Sequence, residues 1–512
     1  MKIQVPIIKQ VDLLVAGGST VAVEKAVALQ QSGHTVFLFT PYPYLGEDLC
    51  AKLNLHETPD NLGLGDNPRP AAIKQRLEQK LLDAGIDFLF QCNPIRLVYG
   101  KHNELAGLLI GNRSGFQIIA AKAVLDATNR NLIADLAGLP RKPFRPGKRQ
   151  VERIVMGEYM TPSKKLYIEP LPCHYSYDEK SYQLFKTAIE MDFPDNSPCT
   201  LSKIEVQMRK ETWQPQLVLG ADQCHYQLND GISISYCPSP ESPFFFDTKN
   251  SAKEIAESLS KIPYSEPVYI QNNEANEQLQ DMKILRNDTS LRFQKNPTLE
   301  FELNSLPLLD HCQVLIAGGG TGGAPAAIAA ARTGAKTICI EHSSALGGIC
   351  TIGRIGSYYY GNRVGFCEEL DQGVTAMAEN PKYPAEHGVK DTEWKRHWLL
   401  LEGNRAGAEF RFQHSVLAAA TQQGKVCGAL VSGPWGSGII QADTVVDATG
   451  NADLAIAAGA EIAVETFEPA VQGAGLSPIV PGIDCSNTDY NFIQDEDVFD
   501  ATRAFVQAHH KF

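Results

Sequence analysis

Residues 313–351 read QVLIAGGGTGGAPAAIAAARTGAKTICIEHSSALGGICT, and the fold expected for the chain follows from this stretch. The apolar run Val314–Ala317 predicts a strand that ends at a glycine-rich turn, because glycine is costly inside a regular strand. Gly318, Gly320 and Gly323 match the G-x-G-x-x-G pattern, whose glycines permit a tight turn, close approach of a pyrophosphate and close helix–sheet packing. These features predict the start of a nucleotide-binding βαβ unit.

The residues after the turn complete that unit. The alanine-rich segment Ala324–Arg332 predicts a helix whose free N–H groups and positive dipole end face the phosphates. A second strand, Thr337–Ile340, then leads to Glu341, where an acid accepts hydrogen bonds from ribose hydroxyls. This order of elements is more specific than the glycine pattern alone, although a glycine-rich structural turn without a ligand is an alternative.

Composition limits the classes of partner. A chain of 512 residues predicts two or three domains, and 46 basic against 59 acidic residues leave a net charge of −13. This balance disfavours nucleic acid and anionic membranes as partners. The N-terminus has no signal-peptide pattern and no apolar run is long enough for a membrane helix, so we expect a cytoplasmic protein. The 12 cysteines form no C-x-x-C pair. We therefore expect no metal site and mostly buried, reduced thiols.

The N-terminal part repeats the unit. Residues 11–50 align without a gap on residues 312–351, and residues 123–138 align on residues 444–459. The first alignment places Gly17, Gly18, Thr20, Gly33, Leu45 and Gly46 on Gly318, Gly319, Thr321, Gly334, Leu346 and Gly347. We therefore predict two Rossmann-like domains of the FAD/NAD(P)-binding type that arose by internal duplication. The alternative is that similar βαβ physics produces part of the match.

The first copy lacks the residues that would hold a ligand. Ser19, Val21 and Ala22 replace Gly320, Gly322 and Gly323, Thr40 replaces Glu341, Asn129 replaces Gly450, and Leu132 replaces Asp453. These changes compromise both the close phosphate approach and the ribose contact. We expect a degenerate, structural copy, with a weakened nucleotide site as the alternative.

The middle of the chain has a different character. A basic, proline-containing linker begins at Arg141, and the alternating segments KLYIEPL, SKIEVQM, PQLVLGA, HYQLND and GISISYC follow. Period-two alternation predicts an inserted, mostly antiparallel β cap, closed by a helix near residues 252–262. Residues 271–308 are polar and predict surface elements and linker. The expected fold is α/β, with a degenerate domain at 1–140, a cap region at 141–311 and a dinucleotide-binding domain at 312–512.

A family resemblance rests on three motifs. The run EHSSALGGICTIGRIGSYYYGNRVGF (341–366), with GGGTGG before it and VVDATGNADLAIAAGAE after it, resembles FAD-dependent oxidoreductases. That family is distantly similar to fumarate reductase and succinate dehydrogenase flavoproteins. The resemblance covers residues 312 to about 475 well. Residues 1–140 share it only as the degraded repeat.

The resemblance implies FAD as the cofactor and assigns its contacts. It implies pyrophosphate at Gly318, Gly320, Thr321, Gly322 and Gly323, ribose at Glu341, flavin-side contacts at Gly347, Gly348 and Thr351, adenine near Val416, and a second phosphate-side loop at Thr449, Gly450 and Asp453. His342, next to Glu341, is expected as a side wall of the adenosine site. Family members generally carry a further C-terminal region over the flavin. The pocket is therefore expected to be completed by a missing C-terminal segment, by another chain or by the cap.

Candidate catalytic groups follow the Leu-Gly-Gly turn. Arg354, Tyr358, Tyr360 and Arg363 are suited to an anionic or polyhydroxylated substrate, with a tyrosine exchanging a proton; tyrosine-rich packing is the alternative. Cys350 is expected to be a packed thiol rather than a redox group. The predicted function is hydride transfer between flavin and a small polar substrate. The alternatives are a non-catalytic, flavoprotein-like subunit or scaffold, and an NAD-linked dehydrogenase.

Overall fold

The computed structural model describes residues 2–177, 179–232, 245–271, 282–285, 291–302, 306–356, 363–379, 392–461, 470–472, 490–492 and 497–511. Tyr358 and Tyr360 lie outside these ranges.

The first sheet is built from the N-terminal part of the chain. Its elements in chain order are β1 (Lys2–Ala16), α1 (Thr20–Gln31), β2 (Val36–Phe39), α2 (Glu47–Cys50), α3 (Pro70–Asp83), β3 (Asp87–Leu89), β4 (Asn93–Tyr99), β5 (Leu105–Asn112), β6 (Gly115–Asp126) and α4 (Leu132–Leu136). The order β4-β5-β6-β1-β2-β3 combines an antiparallel part, β4 to β6, with a parallel part, β6 to β3. The parallel part forms because the run Leu13–Ala16 is apolar on both faces and fully buried.

The second sheet has the same strand order. Its elements are β15 (Leu308–Ala317), α7 (Gly323–Arg332), β16 (Thr337–Glu341), α8 (Phe366–Ala378), α9 (Thr392–Ala406), β17 (Glu409–Phe412), β18 (Ser415–Gln422), β19 (Lys425–Gly433), β20 (Gly436–Asp447) and α10 (Asp453–Ala457). The strands run β18-β19-β20-β15-β16-β17, antiparallel at the β18 end and parallel at the β17 end. The mixed α/β fold with parallel strands is therefore confirmed.

The middle region forms a smaller sheet and several connecting elements. They are β7 (Gly147–Gly157), β8 (Tyr167–Tyr177), β9 (Lys180–Phe193), α5 (Pro198–Thr212), β10 (Leu217–Gly220), β11 (Phe245–Asp247), α6 (Ala252–Leu259), β12 (Tyr269–Ile270), β13 (Lys283–Leu285) and β14 (Thr298–Glu302). The sheet β10-β7-β9-β8 is antiparallel, as its alternating pattern predicts.

Two predictions for the middle region were wrong. The segment SKIEVQM lies inside helix α5 and not in a strand, because Ser197 caps the helix, Pro198 starts it, and Leu201, Ile204 and Met208 follow a helical spacing. The stretch 271–308 is more than surface and linker. Its strands β13 and β14 pair with β18 and β1 because Ile284 and Phe301 are buried between the two large sheets.

The two large sheets share one hydrophobic core. Ile95, Leu109 and Phe116 of the first sheet pack in the same cluster as Leu417 and Ile439 of the second. The fit is close, since a Cβ added at Gly111 would lie 2.8 Å from Leu417 Cδ1. The antiparallel parts of the two sheets thereby hold the two halves together.

Three further elements follow towards the C-terminus: the short strands β21 (Ala470–Gln472) and β22 (Tyr490–Phe492), and the helix α11 (Val498–Lys511). Helix α11 lies on the first half of the chain. Phe505 contacts the ring of Phe90, and Thr502 Oγ1 accepts the N–H of Phe90 at 3.1 Å. Nδ1 of His509 lies 2.6 Å from Oε1 of Glu78, a fully buried residue of α3.

Candidate functional site

The glycine-rich turn after β15 is packed on one side and open on the other. Gly318 has a φ of +98°, and a Cβ there would lie 2.3 Å from the carbonyl oxygen of Ala448. A Cβ at Gly323 would lie 1.8 Å from the carbonyl oxygen of Gly318, so both positions require glycine. A Cβ at Gly320 or Gly322 would meet nothing within 4 Å. We call this open side, at residues 320–323, the cradle; a side chain at Gly320 or Gly322 would occupy part of it.

This cradle presents free backbone donors. Within the described ranges, the N–H groups of residues 320–323 donate to no protein acceptor. Helix α7 begins at Gly323, so the positive end of its dipole points to the same place. Unpaired N–H groups at a helix N-terminus bind phosphate, and the loop therefore fits a pyrophosphate.

Glu341 ends β16 and holds the loop in shape. Its carboxylate is only 3 % exposed and accepts the N–H of Gly319 at 2.7 Å and the N–H of Ser343 at 2.7 Å. Burial opposes ionisation most strongly, yet the hydrogen bonds from His342 and Ser343 outweigh it and lower the pKa of Glu341. The interaction with Glu341 raises the pKa of His342, whose ring is 68 % exposed beside the loop. A carboxylate has about four acceptor positions, which leaves capacity for a ribose hydroxyl.

The Leu-Gly-Gly turn closes against the cradle. The N–H of Gly347 donates to the carbonyl oxygen of Gly319 at 2.9 Å, and Thr321 Oγ1 donates to the carbonyl oxygen of Gly347 at 3.0 Å. Gly348 lies so near the cradle that a Cβ would be 3.0 Å from Gly320 Cα. Thr351 is buried inside the turn, where its hydroxyl donates to the carbonyl oxygen of Leu346 at 2.5 Å. Thr351 therefore stabilises the turn from within.

A third loop, after β20, lies beside the glycine turn. Asp447 Oδ1 accepts the N–H and the hydroxyl of Thr449 at 3.0 and 2.7 Å, and Thr449 Oγ1 accepts the N–H of Asp453 at 2.8 Å. A Cβ at Gly450 would face open space. Val416 lies in β18 opposite Val431, two residues after His414, whose N–H donates to the carbonyl oxygen of Glu341 at 3.1 Å. The loops predicted to contact FAD therefore meet at the carboxyl edge of the second sheet.

The equivalent loop in the first copy is filled by its own acids. Glu47 stands where the second copy has Gly348, and its Oε1 accepts the N–H of Gly18 at 2.7 Å. Asp48 accepts the N–H of Thr20 at 3.0 Å and its hydroxyl at 2.5 Å. Gly18 aligns on Gly319, whose N–H is bonded to Glu341, so Glu47 takes the place of Glu341. Thr20 aligns on Thr321, whose N–H donates to no described acceptor in the second copy. Asp48 thus supplies an internal substitute for the anion that such a loop would bind.

The predicted catalytic residues are only partly described. Arg354 contacts helix α9, with Nη1 donating to Thr392 Oγ1 at 3.0 Å and Nη2 lying 3.2 Å from Glu393 Oε1. Arg363 is exposed. Tyr358 and Tyr360 fall outside the described residues, so no shared site of the four side chains is described.

Cys350 and His397 have packing environments. Cys350 is buried, its Sγ lies 3.1 Å from the carbonyl oxygen of Gly347, and burial raises its pKa. His397 stacks on Trp213 with ring centroids 4.0 Å apart, and burial lowers its pKa to about 3. All ten cysteines in the described ranges are free, and seven of them are buried. The described residues contain no cluster of metal-ligating side chains.

One residue near the site was missed by sequence reasoning. Arg113 lies in the turn between β5 and β6 of the first copy, and its Nη2 is 3.9 Å from Asp453 Oδ1 of the second copy. The charge of Arg113 also acts on His342. No local signal marks Arg113, because its position depends on how the two sheets pack.

Comparisons with known proteins bear on the C-terminal half. Residues 313–511, less than half of the chain, match the family described as FAD dependent oxidoreductase. This match identifies FAD as the cofactor. No curated protein matches the chain. No described helix combines the length and apolar character needed to cross a lipid bilayer.

Three solved structures illustrate the likeness to known folds. CabE, an aromatic hydroxylase from angucycline biosynthesis, is 12 % identical over 49 % of this chain and 63 % of its own, with a TM-score of 0.31. BexE, linked to BE-7585A biosynthesis, is 11 % identical over 49 % and 63 %, with a TM-score of 0.35. A geranylgeranyl bacteriochlorophyll reductase-like protein from Thermoplasma acidophilum is 14 % identical over 49 % and 76 %, with a TM-score of 0.31. TM-scores of this size do not show a shared fold. The chain covers less than two-thirds of the length of CabE and of BexE.

Proposed function

We propose that the chain is an FAD-dependent oxidoreductase in which flavin exchanges a hydride with a small polar substrate. The substrate binds between the second sheet and the middle region. The family match over residues 313–511 supports the reaction class. The chemistry of hydride transfer is supplied by the flavin, and the chain binds and orients its partners.

Each part of the site has a proposed role. The open N–H groups of residues 320–323 hold the pyrophosphate, and Glu341 accepts a ribose hydroxyl while it keeps the loop in shape. Gly347 and Gly348 bring the following turn close to the cofactor, with Thr351 stabilising that turn. Val416 and the loop Thr449–Asp453 complete the adenosine and phosphate sides. We keep Arg354, Tyr358, Tyr360 and Arg363 as the proposed substrate-binding or proton-transferring residues.

The observation that carries the proposal is the contrast between the two glycine loops. The N–H groups of residues 320–323 have no acceptor among the described residues, whereas in the aligned loop Asp48 accepts the N–H of Thr20 and Ser19 accepts the N–H of Ala22. Open N–H groups at the positive end of a helix, in a loop where a Cβ at Gly320 or Gly322 would meet nothing within 4 Å, favour an anionic ligand such as a pyrophosphate. The common strand order of the two large sheets supports our proposal that the halves arose by duplication, with domains at 1–140, 141–311 and 312–512.

The test measures bound flavin in matched variants of the two loops. The absorbance spectrum of the purified protein should show about one FAD per chain. Gly320→Val fills the cradle and should abolish binding, while Ser19→Val makes the aligned change in the first copy and should leave the FAD content intact. Hydride transfer is then tested under anaerobic conditions, by adding polar alcohols, acids or amines and following reduction of the bound flavin by its absorbance.

A non-catalytic scaffold is the competing function, because the self-filled loop of the first copy shows that half of the chain has no open phosphate cradle. Failure of the purified protein to bind added FAD would support the scaffold and remove the oxidoreductase proposal.

A further inference from the structure

A separate cavity of about 310 Å³ lies at the carboxyl edge of the first sheet. Asn129–Asn131, which follow β6, form one wall, helix α5 forms another with Glu205 and Arg209, and the end of β17 forms a third with Phe412 and Gln413. We call it the central cavity, because it joins both halves and the middle region. None of the residues assigned to FAD lines it. Its position matches the place where open α/β sheets bind ligands, outside the carboxyl ends of the strands.

A buried ion pair in its wall is incompletely satisfied. Arg209 is 7 % exposed, donates from Nη2 to the carbonyl oxygen of Asp222 at 2.6 Å, and stacks over the ring of Phe412. Its Nε has no hydrogen-bond partner. Glu205 Oε1 accepts the N–H of Cys224 at 3.2 Å, but its Oε2, 3.7 Å from Arg209 Nη1, accepts no hydrogen bond. Within the part of the chain that the structure describes, the wall therefore holds one buried donor and one buried acceptor without hydrogen-bond partners.

The other charges around the cavity divide into paired and unpaired groups. Arg130 pairs with Asp230 at 3.2 Å, and Arg141 pairs with Asp135 at 2.5 Å. The ammonium of Lys52 makes no hydrogen bond or ion pair with any described residue. Among the described residues, the carboxylate of Asp222 accepts a hydrogen bond only from the hydroxyl of Tyr44, at a long 3.4 Å. Lys52 and Asp222 are therefore a cation and an acid that a ligand in the cavity could pair with.

These groups define the chemistry of an occupant. Arg209 Nε and Glu205 Oε2 are shielded from the cavity, whereas Lys52 and Asp222 are partly exposed in its wall. A carboxylate is well suited to Lys52, and hydrogen-bond donors are suited to Asp222. A plain anion would leave Asp222 unmatched. A volume of about 310 Å³ is at the lower end for ligand pockets and suits a small molecule better than a nucleotide.

We propose that the central cavity binds a small organic acid that carries hydrogen-bond donors in addition to its carboxylate. Hydroxy acids and amino acids share this chemistry. Polar side chains complete the wall, among them Gln223, which also contacts Tyr42 and Gln413 and so links the two halves. None of the residues assigned to FAD lines the cavity, so binding of the acid can be tested separately from binding of the cofactor.

Binding is tested by calorimetry on the purified full chain. L-Lactate and D-gluconate represent hydroxy acids, and glycine, L-serine and L-glutamate represent amino acids. Propionate carries the carboxylate without added donors, and glycerol carries donors without the carboxylate. At least one hydroxy or amino acid should bind about tenfold more tightly than both of these probes, since one missing ionic or hydrogen-bonding partner costs roughly that factor.

Variants connect binding to the cavity. Lys52→Met should weaken the bound probe about tenfold or more, and Lys52→Arg should largely restore it. Lys101→Met is the matched control, because Lys101 is an exposed lysine of the β4–β5 turn away from the cavity. Asp222→Asn should weaken amino acids more than hydroxy acids, which separates the two sources. Unchanged thermal unfolding of the ligand-free variants shows that they are folded.

The proposal fails if no probe binds, if propionate binds as tightly as the acids with donors, or if Lys52→Met and Lys101→Met have equal effects. None of these results bears on flavin binding, which is measured separately by absorbance.

Discussion

Glu341 and Thr40 occupy equivalent places, each at the end of the second strand of its sheet. Glu341→Ala removes the acceptor of the Gly319 and Ser343 N–H groups, and it should weaken FAD binding about ten- to hundredfold, or roughly 1.5–3 kcal/mol. Thr40→Ala should leave FAD affinity within about twofold, because Thr40 is buried in a loop already filled by acids. Fluorescence titration of the flavin-free protein measures both. Similar losses at the two positions would mean that FAD binds the first copy.

Glu47 should make the stability of the first half depend on pH. Burial, assisted by the charge of Asp48, raises its pKa from 4.5 to about 8. The folded chain therefore holds a proton that the unfolded chain releases between pH 4.5 and 8, and stability falls as pH rises through this window. The slope from this group is about 1.4 kcal/mol per pH unit.

The matched variant is Glu47→Gln, which keeps the shape and cannot ionise. Its free energy of unfolding, measured by urea at pH 5 and pH 8, should fall less between the two values than that of the unaltered chain. Parallel pH dependence in both proteins would exclude Glu47 as the source.

At the scale of elements, the β5–β6 turn places Arg113 beside the nucleotide loop of the other copy. Arg113→Ala should weaken FAD binding about three- to tenfold at low salt, because a cation near an anionic cofactor is lost. The loss should be smaller at high salt, because the Arg113 side chain is 40 % exposed and its charge is screened. Titration at two ionic strengths measures the effect. Arg113→Lys should retain most of the affinity, and Arg69→Ala, another exposed arginine of the first half, should retain all of it. An unaltered affinity in Arg113→Ala would show that the turn does not reach the cofactor.

The elements with a strong local signal could be predicted from the sequence. Helix α7, strand β16 and the Leu-Gly-Gly turn lie where the glycines and the apolar runs place them. Helix α5 was mistaken for a strand because Ile204, Val206 and Met208 alternate, although the Ser197–Pro198 start was readable. Strands β13 and β14 could not be predicted, since their stability comes from partners far away in the sequence. The same holds for Arg113 and for the loop-filling role of Glu47.

For the whole molecule, the shared core predicts that the two halves unfold together. Leu417→Ala deletes a buried side chain between the sheets and should lower the free energy of unfolding by about 2–5 kcal/mol. Tryptophan fluorescence, which reports mainly on Trp394, Trp398 and their neighbours in the second half, and circular dichroism should shift to lower denaturant by the same amount. Val218→Ala, a change at an exposed apolar residue, should have little effect. Separate transitions in the Leu417 variant would contradict a common core.

Helix α11 also sets the order in which the molecule can assemble. Residues 498–511 cover Phe90 and provide the histidine next to the buried Glu78, yet they are synthesised more than 400 residues after both. During synthesis, the apolar surface around Phe90 and the side chain of Glu78 therefore stay uncovered until helix α11 has been made. Domains that are made first usually fold first. In this chain the surface around Phe90 and Glu78 is covered only after helix α11 has been made, so we expect that surface of the nascent first half to be accessible to chaperones until then.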